Sequence, residues 1–291
     1  MRGELTRIAI PIVVFILMAI VGSGLRAEDF RRVLGYPRAV LVGTVGQTVL
    51  VPAMAALLVM LLTGLSAITP EVAAAILILA LCPGGILSNF YCALAGRNVA
   101  LSVTLTAVSS LICIVTIPIV GAGLLALVGG AVSASVPLGI IVTQLLLFLI
   151  LPIAIGLVLR HWFGGALERL QRHLHILGLV LIAVVVLLSI WEERDVLLQT
   201  LADTAIPAAA FTLGALLIGY ATAIVFGVGE RIVIAIELSV RNIPIAILIG
   251  TALDQPAILS FSVAYFLLHA PILLFYALAM KRFGATAPSG G

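Results

Sequence analysis

Apolar residues fall along this chain in long unbroken runs, punctuated by charged residues, glycines and prolines. A helix that crosses a bilayer needs roughly 20 apolar residues, and the runs predict nine such spans. They lie at 5–25, 38–64, 71–95, 98–127, 135–160, 174–191, 201–228, 231–252 and 256–280. No stretch shows the ten-residue alternation of a transmembrane β-barrel. The fold class is therefore an all-α polytopic membrane protein with short loops and no inserted soluble domain. The N-terminal run lacks a small-residue cleavage site followed by polar sequence, so it is expected to stay as the first helix. The tail GATAPSGG is flexible in composition.

Two spans carry breaks. The third reads AAAILILALCPGGILSNFYCALAG, with Pro83, Gly84 and Gly85 at its centre. Proline removes a backbone donor and glycine tolerates strained geometry, so together they unwind a helix. The eighth reads RIVIAIELSVRNIPIAILIGTAL, with Glu237, Ser239, Arg241, Asn242 and Pro244 at its middle. Irregular backbone at that depth persists only where protein or a polar cavity satisfies it. The two spans are five apart, an odd offset, so they cross in opposite directions. Spans one to four and six to nine are then expected to be inverted repeats. Interrupted helices at matching positions point to the binding site of a secondary transporter.

Composition agrees with this class. Of 291 residues, 63% are hydrophobic and 9% charged, with a mean hydropathy of +1.34. That excludes a water-soluble globule, a disordered chain and a nucleic-acid binder. Positive charge sorts by side: Arg26, Arg31, Arg32, Arg38, Arg97, Arg160, Arg169, Arg172, Arg231, Lys281 and Arg282 collect on one face. Only Arg2, Arg7 and Arg194 fall on the other, and Arg241 lies inside a span. Positive charge stays in the cytoplasm, so the expected topology is N-terminus out and C-terminus in, in the cell (inner) membrane. Cys82, Cys92 and Cys113 read as packing residues, and no transition-metal ligand spacing occurs.

Glu237 is the one acidic residue deep in a span, where a charge costs about 2.5–3.5 kcal/mol on insertion scales. It can hold a hard cation through oxygen ligands, serve as a proton-carrying group, or be a protonated structural residue. Ser102, Thr106, Ser109 and Cys113 follow i, i+4, i+7, i+11 and share one face of the fourth span. Ser88 and Asn89 just past the first break, and Gln47 in the second span, gain weight through convergence on Glu237. Arg241 remains charged in any environment and follows Glu237 by four residues, neighbours on an intact helix. Two readings stay open: a structural Glu237–Arg241 ion pair, or a guanidinium acting as a built-in cation bonded to Gln47 or Glu237 and turned towards substrate.

The run CPGGILSNFYCALAGRNVALSVTLTAVSS resembles the first signature of the bile acid:sodium symporter family, and IELSVRNIPIAILIGTAL resembles its second. GLRAEDFRRVLGYPRAV with Gln47 is similar to its early loop and next helix. Bacterial members often have ten spans, and this chain matches a nine-span form lacking the first. The resemblance implies a core (about 38–127 and 201–280) beside a panel (about 5–25 and 135–191), with the broken helices crossing in the core. It implies a first sodium site at Ser88, Asn89, Ser102, Thr106 and Glu237. A second would use Gln47, Glu237 and the backbone at Leu238 and Val240, with Arg241 replacing a glutamine, so one sodium site is expected and the second is altered. Substrate contacts map onto Asn242 and His269, with Arg241 beside them, while Ile86 and Ala270 replace polar positions.

The expected function is a secondary active transporter of an organic anion, bile-acid-like or a small carboxylate or sulfonate. It would be sodium-coupled and work by alternating access. The alternative is a sodium-independent or proton-coupled carrier of the same fold. No enzyme active-site constellation is visible in the spans.

Overall fold

The computed structural model describes residues 2–25, 35–128, 138–192 and 194–285. The charges at Arg26, Arg31 and Arg32, the first residues of the expected fifth span and the end of the tail lie outside the described residues. Helix is the regular structure throughout them, with no strand among the described residues. Helix α1 (Arg2–Gly24) is followed by α2 (Pro37–Val45), which continues through a π-helical turn (Gly46–Leu50) into α3 (Val51–Gly64). The first broken pair is α4 (Pro70–Leu81) and α5 (Ile86–Leu94), and α6 (Val99–Val128) follows it. Next, α7 (Leu138–Leu145) runs through a second π-helical turn (Leu146–Ile150) into the long α8 (Leu151–Glu192). The chain ends with α9 (Arg194–Val225), the second broken pair α10 (Arg231–Ser239) and α11 (Ile243–Ala252), and α12 (Pro256–Ala285).

Both π-helical turns end two residues before a proline, Pro52 and Pro152. A proline clashes with the carbonyl four residues back and leaves it without a donor. Here the helix widens instead of kinking: Val51 N–H bonds the Gly46 carbonyl and Leu151 N–H the Leu146 carbonyl, each five residues back. Helix ends are equally regular. Ser66, Gly96, Gly227 and Asp254 all take positive φ directly after α3, α5, α9 and α11. In each case the next residue's N–H reaches back five positions, as Arg97 does to the Cys92 carbonyl.

Six helical stretches among the described residues are long and apolar enough to cross a membrane, or seven if the α4–α5 pair, bent by 69°, counts as one. The sequence predicts nine. The difference arises in two places. Residues Ile8–Gly24 form a shorter apolar helix, and Val142–Trp191 counts once because α8 runs through the expected loop at 161–173. That loop is rich in Ala, Leu, Glu, Gln and Arg, good helix formers despite their polarity. Only Phe163, at φ −118° and ψ 28°, leaves helical geometry, and Arg160 bridges the kink to Glu168 at 2.8 Å.

Burial orders the helices. In an apolar 18-residue segment of the α10–α11 stretch 94% of the residues are buried, against 28% in one of Val142–Trp191, which places the second break at the centre and α8 at the edge. α1 lies along α8 with almost no space between backbones: a Cβ on Gly22 would fall 2.2 Å from the Ile153 carbonyl oxygen, and one on Gly156 2.2 Å from that of Ala19. Such small-residue contact drives helix association where water cannot. α9 packs on α10 and α12, and α4 on α3, α6 and α12. Large apolar side chains such as Leu57, Ile119, Leu187 and Phe275 cover the outside.

Candidate functional site

Both breaks lie deep among the described residues, where one backbone hydrogen bond joins them and the side chains of Ser109, Arg241 and Tyr265 take other freed groups. Cys82 takes extended geometry after α4, and Val240 does so after α10. On an unbroken helix the Asn242 N–H would reach the Leu238 carbonyl; here it donates to the Pro83 carbonyl of the other break at 2.9 Å. Gly84 N–H donates to Ser109 Oγ at 3.3 Å. The close approach depends on glycine: a Cβ on Gly85 would sit 3.2 Å from the Arg241 carbonyl oxygen.

Glu237 is 0% exposed, and its carboxylate faces α6. Ser102 Oγ donates to Oε2 at 2.7 Å and Thr106 Oγ1 to Oε1 at 2.6 Å. Ser88 Oγ lies 3.3 Å from Ser102 Oγ and 3.4 Å from Thr106 Oγ1, and donates to the Gly85 carbonyl at 2.8 Å. The structure thus gathers Ser88, Ser102, Thr106 and Glu237 from three helices. Asn89 is not hydrogen-bonded to them; its Oδ1 is buried without a partner, on a cavity wall that Thr106 shares. Gly84 keeps the space open, since a Cβ there would meet Glu237 Oε1 at 2.6 Å. This donor set is all oxygen, includes one carboxylate and holds a spare amide oxygen beside it. It fits a hard monovalent or divalent cation and not a thiol-seeking metal.

Gln47 sits in the first π-helical turn, where Nε2 is 3.5 Å from the Glu237 carbonyl and Oε1 is buried without a partner. Arg241 is 1% exposed. Its guanidinium donates from Nη1 to the Cys82 carbonyl at 3.1 Å and from Nη2 to the Leu238 carbonyl at 2.5 Å, while Nε has no partner. The anticipated bond from this guanidinium to the Gln47 side chain or the Glu237 carboxylate is not formed, and the two charges make no ion pair. The reason is local: α10 ends at Ser239, so the extended turn at Val240 removes the helical register that would have set residues 237 and 241 side by side. Leu238 and Val240 are buried at this turn.

Asn242 caps α11, its Oδ1 accepting from Ile245 N–H at 3.3 Å, and its Nδ2 reaches Met18 Sδ on α1 at 3.7 Å. His269 is one link away from the crossing. Its ring stacks on Tyr265 with centroids 4.6 Å apart and planes 5° from parallel. His269 Nδ1 lies 3.1 Å from the carbonyls of Tyr265 and Phe266, and Nε2 is buried without a partner. Tyr265 itself was not expected. Its hydroxyl donates to the Ser239 carbonyl and accepts from Arg241 N–H at 3.2 Å, joining both sides of the break. Its position four residues before His269 was the available signal. The three cysteines are free and buried.

A cavity of about 190 Å³ runs from the end of α1 past Asn89 and Thr106 to Gln171 and His175 on α8. A second, smaller one lies between Met18, Ile182 and the first residues of α5 and α11.

A family model described as the Sodium Bile acid symporter family matches residues 11–200. The chain belongs to that family. Together with its long apolar helices this makes it a multi-pass membrane protein. The matched region contains the first break and the hydroxyl face of α6; Glu237 and Arg241 lie beyond it. Among relatives of this symporter-family chain is the "Uncharacterized sodium-dependent transporter YocS" of Bacillus subtilis (strain 168), 29% identical over 66% of this chain and 57% of its own length. The "Probable sodium/metabolite cotransporter BASS2, chloroplastic" of Oryza sativa subsp. japonica is 27% identical over 80% of this chain and 54% of its own. The "Probable sodium/metabolite cotransporter BASS1, chloroplastic" of Arabidopsis thaliana is 26% identical over 81% and 57%. The chain spans a little over half the length of these relatives.

Proposed function

We propose that this protein is a secondary transporter that moves a small organic anion with sodium by alternating access. The observation that carries the reading is the Glu237 carboxylate, fully buried and held by the hydroxyls of Ser102 and Thr106, with no cationic side chain bonded to it among the described residues. A buried charge without a partner costs several kcal/mol, and a bound cation removes that cost. Hydroxyls that now donate to the carboxylate can turn their lone pairs to an ion. Relatives named sodium-dependent or sodium/metabolite transporters support sodium as that ion. Where a small carboxylate or sulfonate competes with a bile acid as substrate, the 190 Å³ cavity favours the small one, since sites for drug-sized ligands run about 300–1,000 Å³. Ile86 and Asn89, in the first turn of α5, line that cavity, and such helix ends favour negative charge.

In this reading the chain makes nine spans. Fifty residues of Val142–Trp191 would extend about 75 Å as one helix, far more than the roughly 30 Å hydrocarbon core. The Phe163 kink divides them. Exposed Trp162 and Trp191 then stand about 43 Å apart along the axis, near the headgroup boundaries where tryptophan collects. The shared turn after α3 and α9, and again after α5 and α11, supports inverted repeats. α1, α7 and α8 form the panel, and α2–α6 with α9–α12 the core. With the charge bias placing the C-terminus in the cytoplasm of the cell membrane, the larger cavity lies on the cytoplasmic side.

Sodium titration of thermal stability tests the site. Wild type is expected to gain stability with sodium over a choline control, and Glu237→Gln to gain none. Sodium response retained in Glu237→Gln overturns the reading, and a response to pH in place of sodium turns it to proton coupling.

A further inference from the structure

The crossing holds a permanent cation with no carboxylate bonded to it among the described residues. The two oxygens that take the Arg241 guanidinium come from different breaks, the Cys82 carbonyl at the end of α4 and the Leu238 carbonyl in the last turn of α10. Helix C-terminal ends carry partial negative charge, and broken helices present such ends to cations. The breaks have left these carbonyls without their helical donors; that of Leu238, the Asn242 N–H, goes to Pro83 instead. Gln47 adds a further oxygen: its Oε1 is buried without a partner, and the side chain, 3% exposed, lines a small cavity with Cys82, Pro83 and Arg241. Carbonyl oxygens and an amide oxygen thus converge on a place that favours positive charge, and the chain itself delivers that charge.

We propose that Arg241 is a tethered cation that fills the second cation position of the crossing, so that one sodium is bound per chain and a monovalent anion completes the load. This rests on the sodium transport proposed above. Charge counting gives the consequence. With nothing bound, Glu237 and Arg241 sum to zero. One sodium at the Glu237 cluster brings the crossing to +1, which attracts an anion to the neighbouring helix N-terminal ends. A monovalent anion restores zero. The empty and fully loaded crossings then carry no net charge, whereas the half-loaded one does, and burying a net charge is costly. Sodium and anion therefore move one to one, and the cycle carries no net current.

Direct binding of radioactive sodium to the purified full-length chain, with sodium as the only ligand, tests the proposal. Wild type is expected to bind one ion per chain with a Hill coefficient near one. Arg241→Gln is expected to open the position, giving a second ion per chain or a Hill coefficient clearly above one, while Arg241→Lys stays at one. Two ions on wild type, or an Arg241→Gln curve that superimposes on wild type, overturns the tethered cation. If Arg241→Gln does not fold, Arg241→Met, which removes the charge and keeps the bulk, takes its place with the same expected and overturning results. The Glu237→Gln arm separates the two ideas. One ion on wild type, lost in Glu237→Gln and unchanged in Arg241→Gln, leaves sodium transport standing and removes only the role of Arg241. No sodium on wild type removes both.

Discussion

Glu237 and Arg241 are four residues apart, both are buried, and they do not touch. The carboxylate is held by hydroxyls of α6, the guanidinium by carbonyls at the ends of α4 and α10. A single extended residue, Val240, separates the two environments. An intact helix would have merged them into one ion pair with no capacity for a ligand.

The hydroxyls of α6 can be weighed one at a time. Ser102→Ala and Thr106→Ala should each raise the sodium concentration at half-maximal stabilisation by about tenfold, equivalent to roughly 1.4 kcal/mol. Thr106→Ser should stay close to wild type because it keeps the oxygen. Unchanged midpoints in both alanine variants would show that these hydroxyls hold only the carboxylate.

Tyr265→Phe removes one oxygen that serves two backbone groups, the Ser239 carbonyl and the Arg241 N–H. An unsatisfied buried group costs about 1–3 kcal/mol, so a clear drop in melting temperature in detergent is expected. The stack on His269 and the edge contact to Phe211 survive in this variant. A wild-type melting temperature would show that the hydroxyl is dispensable to the break.

Topology is open to labelling with an impermeant thiol reagent. In a background without Cys82, Cys92 and Cys113, single cysteines replacing Arg97 and Arg169 should react from the cytoplasmic side. Those replacing Ser66 and Arg194 should react from the opposite side. Reaction of positions 66 and 97 from the same side defeats the nine-span arrangement.

The breaks were legible because proline, glycine and polar residues at bilayer depth are costly in a continuous helix and become tolerable where the helix is interrupted. The face of Ser102 and Thr106 followed from helical spacing alone. The direction of Arg241 did not, since spacing arguments assume a continuous helix and fail where one ends. Tyr265 was hidden among aromatic residues that pack equally well without their hydroxyl. Gln47 was visible as a polar residue in a span, but the π-helical turn that carries it depends on how the helix relaxes before Pro52. The stretch 161–173 read as a loop because its residues are charged, although the same residues favour helix.

Four helix ends share one left-handed turn, yet glycine fills only two of them, at Gly96 and Gly227. Ser66 and Asp254 hold the same geometry, each at φ 53°, with a Cβ in the way. A left-handed residue other than glycine carries roughly 1–2 kcal/mol of steric cost. Ser66→Gly, at a helix end remote in sequence from the Glu237 cluster, should therefore raise the melting temperature without altering sodium response. That variant offers a sturdier form of the protein for work in detergent.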